Sequence, residues 1–247
     1  MKAKILGGLL GAFVCIQSTT AGLILREVDS VKMVYDQTQD ITWLLDANYA
    51  QTSGHDPDGR MTWGAATAWA SNLSLAGFDD WRLPGLTVTD TNNNGQLDCH
   101  SSFTGGTDCG FNVLTANSEL AYMFYEHLGN VAIFDTDGNA FQSGWDSLNA
   151  TFVDAETNQN VTFENLFRSP YWTGTEYAPS QSNAWYFRTL DGFQGRAGKD
   201  GPSYAWAVRD GDVLSADSND NSHSVPAPGT LALLGLGLLA FARRQRR

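Results

Sequence analysis

The strongest chemical signal in the chain is the run Asp90-Thr91-Asn92-Asn93-Asn94-Gly95-Gln96-Leu97-Asp98. Asp90, Asn92, Asn94 and Asp98 put oxygen donors at the first, third, fifth and ninth places, and Gly95 at the sixth permits the sharp turn between them. The main-chain carbonyl of Gln96 supplies the seventh. This spacing predicts a loop wrapped around a calcium ion in a structural role, with a merely polar loop as the alternative. Ser101 stands at the twelfth place instead of a bidentate Glu, which either lowers the affinity or requires a ligand from elsewhere, such as Asp108. Asp135-Thr136-Asp137-Gly138-Asn139 and Asp56-Pro57-Asp58-Gly59 carry similar side chains, but their glycine falls too early, at the fourth place, and they read as turns.

Catalytic arrangements are harder to assemble. His55, His100, His127 and His223 lack zinc-type spacing, and the chain has no Gly-x-Ser-x-Gly elbow and no phosphate loop. A carboxylate pair such as Asp79-Asp80 is expected by chance among 27 acidic residues. His127 falls on an apolar helical stripe, where a hydrogen-bonded core-edge histidine is the expected reading. These observations predict a protein that is not an enzyme.

Both ends carry targeting signals. Met1-Lys2-Ala3-Lys4, an apolar run from Ile5 to Ile16 and the small-residue exit Thr19-Thr20-Ala21 predict a signal peptide over residues 1–21, removed by signal peptidase. Val14 before Cys15 does not suit a lipoprotein site. At the other end Val225-Pro226-Ala227-Pro228-Gly229 leads into an apolar span to Ala242 and a basic tail from Arg243. Such a span is barely long enough to cross a bilayer, and the basic tail holds its end in the cytoplasm. This tail resembles the PEP-CTERM signal of Gram-negative bacteria, in which a Pro-containing motif, an apolar helix and an arginine cluster are processed by an exosortase. Val225, Pro226 and Pro228 stand in the motif, with Ala227 where the usual Glu would be. A simple C-terminal membrane anchor is the alternative.

Of the 15 basic residues, six lie outside residues 22–242, so nine face 27 acidic ones and the exported segment carries a net charge of −18. A surface so acidic repels nucleic acid and anionic lipid. Export also leaves Cys99 and Cys109 as a lone cysteine pair in an oxidising compartment, which predicts a disulfide closing a short loop.

Between the signals, Leu23–Leu25, Val31–Tyr35 and Ile41–Leu45 alternate as strands around the turn-rich 36–40. Thr62 caps a helix from Trp63 to about Leu75, with Trp69 on its apolar face, Gly77 as its stop and Trp63 stapling its entry to the preceding loop. Residues 87–112 have no apolar periodicity and read as an insertion. Asn117 caps a second helix carrying Leu120, Met123, Phe124, His127 and Leu128 to Gly129. Short strands and loops follow from Val131 to Arg168. Strands over Tyr171–Glu176, Ala184–Arg188, Phe193–Arg196 and Tyr204–Arg209 then close the domain, with a tight turn at Asp191-Gly192. Residues 214–224 are a polar spacer before the tail.

Asp58-Gly59-Arg60-Met61-Thr62-Trp63, Asp80-Trp81-Arg82-Leu83-Pro84, Tyr171-Trp172-Thr173-Gly174-Thr175-Glu176, Ala184-Trp185-Tyr186-Phe187 and Ala207-Val208-Arg209 stand in the order seen in Lcl C-terminal domains. Residues 22–213 resemble that family of exported bacterial domains, apart from the insertion. The resemblance implies an α+β fold of the C-type-lectin-like kind, two helices packed on short twisted antiparallel strands, distantly related to formylglycine-generating enzymes. Its founding example is the terminal domain of an adhesin that binds sulfated polysaccharides.

The candidate ligand-binding residues are Arg82, read either as scaffold or as the reader of an anionic sugar, Tyr177 in the loop after Glu176, and Arg188 and Arg196, which with Lys199 would form a basic cluster. Trp81 should be buried, and Arg82 should meet a carboxylate or carbonyl cluster. The expected protein is a surface or matrix component that binds glycan or mediates adhesion in biofilm or exopolysaccharide. A purely structural envelope protein and an enzyme on the same fold are the alternatives.

Overall fold

A computed structural model describes residues 22–89 and 99–214. The calcium-type loop Asp90, Asn92, Asn94, Gln96 and Asp98, the signal peptide, and the sorting residues Val225, Pro226 and Pro228 with the apolar helix lie outside the described residues. The chain divides into two compact units, Met1–Val213 and Leu214–Arg247.

The first unit is α+β and mainly sheet. Strands β1 (Leu23–Val28), β2 (Val31–Asp36) and β3 (Ile41–Leu44) are expected from the alternation, and they form an antiparallel meander that extends the expected hairpin by one strand. β11 (Val208–Asp210) completes this sheet against β3 in the order β1-β2-β3-β11. A second sheet runs β4-β10-β7-β8-β9, made of β4 (Arg60–Met61), β10 (Ser203–Tyr204), β7 (Pro170–Glu176), β8 (Asn183–Arg188) and β9 (Phe193–Gly198). The Asp191-Gly192 turn joins β8 to β9 as expected, and Gly192 has a φ of 77°, a backbone state that glycine adopts without strain. β5 (Thr151–Val153) and β6 (Asn160–Thr162) form a separate hairpin.

Two expectations need correction here. β10 pairs in parallel with β7, so the second sheet is not wholly antiparallel. The stretch read as one strand from Tyr204 to Arg209 serves both sheets. Ala205-Trp206-Ala207, all buried, carries the chain across from β10 to β11. Trp206 lies 4.6 Å from Trp43 between ring centres and donates its Nε1–H to the Leu44 carbonyl at 2.8 Å. Trp172 likewise donates to the Met61 carbonyl at 2.9 Å, so both indoles bury large apolar faces with their one polar atom satisfied.

The helices are shorter than the sequence suggests. After a single turn, α1 (Tyr49–Thr52), helix α2 (Trp63–Ser71) begins under the expected cap, with Thr62 Oγ1 accepting the Ala65 N–H. It stops well before Gly77 because the Asn72 amide takes the Ala68 carbonyl at 2.7 Å, an end bond that competes with another helical turn. Trp63 does not staple the preceding loop: its Nε1–H donates to Thr173 of β7 at 2.9 Å.

In the second helical region the cap is Ser118, not Asn117, because the Asn117 amide is drawn to Asp108 Oδ1 at 2.9 Å. A 3-10 turn (Thr115–Asn117), α3 (Glu119–Tyr122) and a π-helical turn (Met123–His127) follow one another.

Candidate functional site

The segment Trp81–Thr87 binds both sheets and α3 together, and a groove opens beside it. Trp81 is buried, and Arg82 exchanges two backbone hydrogen bonds with Val208 of β11. Pro84 accepts from Gly174 N–H of β7 at 2.8 Å, Gly85 accepts from Glu119 N–H at 3.2 Å, and Asn117 accepts from Thr87 N–H at 2.8 Å. Gly174 suits this close approach, since a Cβ there would sit 3.3 Å from the Leu83 carbonyl.

Arg82 meets the carboxylate cluster foreseen for it. Its two terminal nitrogens each donate to one Glu119 oxygen at 2.8 Å, and Nη2 also reaches Asp210 at 2.5 Å. Burial by itself lowers the affinity of the guanidinium for its proton, but Glu119 and Asp210 outweigh it, so the net shift is upward and the charge stays. Glu119 Oε2 also accepts the Gly85 N–H at 2.6 Å. With both planar faces of this ion pair matched, Arg82 is committed to the scaffold.

The groove has a volume of about 810 Å³. Its walls come from the β2–β3 turn (Thr38, Gln39), α2 (Thr67, Ser71), the Arg82–Thr87 segment, Asn117–Tyr122 and Thr175 of β7. Hydroxyl and amide side chains dominate, and Tyr122 adds an aromatic wall. Gln39 Oε1 is buried there without a hydrogen-bond partner among the described residues. The turn that presents it is fixed from below: Asp36 Oδ1 accepts the N–H groups of Thr38 and Gln39 at 2.8 and 3.1 Å. The other Asp36 oxygen lies 2.8 Å from His127 Nε2. His127 is therefore a hydrogen-bonded support at the edge of the core, as its place on the apolar stripe suggested.

The other candidates do not converge on this groove. Tyr177 is buried, not exposed, its ring 5.5 Å from Trp185 in a small core with Leu86 and Cys109. The Arg196 guanidinium lies 4.8 Å from that ring. Arg188 pairs with both oxygens of Asp191 at 2.6 Å and lies over Phe193. Arg196 sits opposite Trp185 in the β8–β9 register, and Trp185 is three residues from Arg188, so alternation sends the two arginines to opposite faces. Lys199 is held by Glu176 at 2.6 Å. The predicted basic cluster does not form.

Cys99 and Cys109 are joined as predicted, with Cα atoms 5.1 Å apart. Asp108 accepts from Thr89 N–H and Thr89 Oγ1 at 2.6 and 2.7 Å. Adjacent residues thus hold both ends of the loop between Thr89 and Cys99. The return of the insertion is part of the core, because Gly110 exchanges backbone hydrogen bonds with Gln194 of β9. Asp135 and Asp56 accept N–H groups within their own loops and are turn residues.

The sequence signals missed Gln39, Tyr122 and Ser118, whose roles come from distant elements meeting. Asp36 three residues before Gln39 in a hairpin turn was the one local hint for Gln39.

No curated protein matches the chain. Residues 224–247 match the PEP-CTERM protein-sorting motif. The chain is thus an exported protein, held at the membrane by its tail before an exosortase processes it.

Proposed function

We propose that the exported domain is a non-enzymatic glycan-binding module of the cell surface or extracellular matrix, with the groove beside Arg82–Thr87 as its sugar site. The observation that carries this reading is the set of hydroxyl and amide side chains along the groove, Thr38, Gln39, Thr67, Ser71, Thr87 and Asn117 among them, donors and acceptors suited to sugar hydroxyls. Tyr122 offers a ring face to the carbon side of a pyranose. The ordered Trp- and Arg-containing motifs support placing the domain with C-type-lectin-like Lcl C-terminal domains.

The ligand class differs from that of the founding adhesin. A net charge of −18 over residues 22–242 opposes sulfated or carboxylated polymers, and Arg82, Arg188 and Lys199 are already paired with carboxylates. An uncharged polysaccharide fits better. A calcium ion in the Asp90–Asp98 loop, with Asn92, Asn94 and Gln96 as ligands, would act as a structural ion whose loop is clasped by Asp108 and Cys109.

A glycan array probed with the exported chain, with calcium and with chelator, tests both proposals. Binding to uncharged glycans that Gln39→Leu removes supports the groove. Absence of binding to every glycan overturns the reading in favour of a structural envelope component.

A further inference from the structure

Phe141 is 71% exposed and adopts a φ of 63°, a left-handed state that costs a bulky side chain about 1–2 kcal/mol. Nothing gained by burial offsets this strain, so the surroundings impose it. Next to Phe141, the Gln142 amide donates to the carbonyls of Ala132 and Phe134 at 2.5 and 2.8 Å. Trp145 lies 5.9 Å from Phe141 between ring centres, with the rings inclined at 62°. Trp145 is half-buried, and Arg168 holds it, donating to its carbonyl at 3.3 Å and to that of Leu190 at 2.8 Å, with its guanidinium 5.8 Å from the indole.

We infer that Phe141 and Trp145 form a second sugar platform, apart from the groove, that stacks on the carbon faces of an uncharged polysaccharide. This inference rests on the glycan-binding reading and extends it to a longer polymer. Two inclined rings on a polar loop match a chain of pyranoses, whose rings are apolar on the face and hydroxylated at the edge. Ser143, Asp146 and Ser147, all exposed, belong to the same loop and supply polar groups for such hydroxyls. A protein partner needs about 800 Å² on its side of a stable interface, far more than these two side chains offer. An anionic membrane or polymer would meet Asp146 and a domain of net charge −18.

Affinity electrophoresis of the exported chain through gels containing β-glucan, mannan or dextran, with alginate as the anionic control, tests the platform. Phe141→Gly relieves the backbone strain but adds the entropy cost of glycine, and the two offset, so it is expected to leave the melting temperature unchanged while weakening retention about tenfold, the size of one lost aromatic contact. Trp145→Ala should weaken it similarly. Gln39→Leu separates the two sites: if it abolishes retention while Phe141→Gly migrates as wild type, the groove stands and the platform is overturned. If the wild type is retarded by none of the uncharged polymers, both readings fall. A drop in melting temperature for Phe141→Gly with unchanged retention identifies the residue as structural and overturns the platform.

Discussion

His127 Nε2 lies 2.8 Å from Asp36 Oδ2, and Asp36 has no exposed surface. Through that contact a residue of the π-helical turn supports the β2–β3 turn, whose backbone N–H groups rest on the opposite Asp36 oxygen. His127→Ala therefore leaves a buried carboxylate without one of its partners. The expected loss is about 1–3 kcal/mol of stability. Urea unfolding measures it, and weaker glycan retention should accompany it because Gln39 loses its support.

Arg82→Ala should destabilise the domain by about 2 kcal/mol. The value is set below that for a fully buried pair because Arg82 is 35% exposed, and its removal leaves Glu119 at 19% exposure without its cation. Arg82→Lys should recover little, since an ammonium cannot engage both Glu119 oxygens in one plane. Equal stability of the lysine variant and the wild type would contradict the bidentate account.

Acid should unfold the domain in part through Asp154. Burial alone would raise its carboxyl, but the N–H groups of Leu25, Thr157 and Glu156 and the Thr157 hydroxyl outweigh burial and hold it below the ordinary carboxylate range. A depressed folded value stabilises the native state above the unfolded value, near pH 4, and that contribution disappears as pH falls through the folded value. Asp80, lowered first by its bond to Arg209, adds in the same direction. Melting temperatures taken from pH 6 to pH 2 should fall less steeply in Asp154→Asn, from a lower starting point.

Reduction of the Cys99–Cys109 bridge should lower stability by about 2–3 kcal/mol, the range for so short a loop. Because Cys109 packs with Trp185, tryptophan fluorescence should report the change. Cys99→Ser provides the same comparison without reductant.

Calcium should raise the melting temperature of the oxidised protein, in proportion to the logarithm of its concentration once the ion exceeds its dissociation constant. An unchanged melting curve in chelator would remove the structural ion.

The local elements were legible in the sequence. Alternation marked β1–β3, Thr62 marked the start of α2, and Asp191-Gly192 marked the β8–β9 turn. What escaped was set by contacts between distant residues. Tyr177 follows a strand in a polar loop, and it is buried by residues brought from other segments, Leu86, Cys109 and Trp185 among them. The division of Tyr204–Arg209 between two sheets cannot be read from a run of six residues that all suit a strand. Arg188 and Arg196 looked like neighbours by composition, while register sends them to opposite faces. Arg82 was read with its carboxylate partner but not with the groove, because the groove's walls come from five separate segments.

The sheet order β1-β2-β3-β11 also has a mechanical consequence. The strand nearest the sorting tail in the chain is β11, three residues long, followed after Gly211 by Asp212, which Arg26 of β1 grips with Nε and Nη2 at 3.0 and 2.8 Å. Any tension along the tail while it is held at the membrane enters the domain at that point. Buried Val213 meets that load first and the Arg26–Asp212 contact next, before it reaches β11 and the Ala205–Ala207 crossing that joins the two sheets.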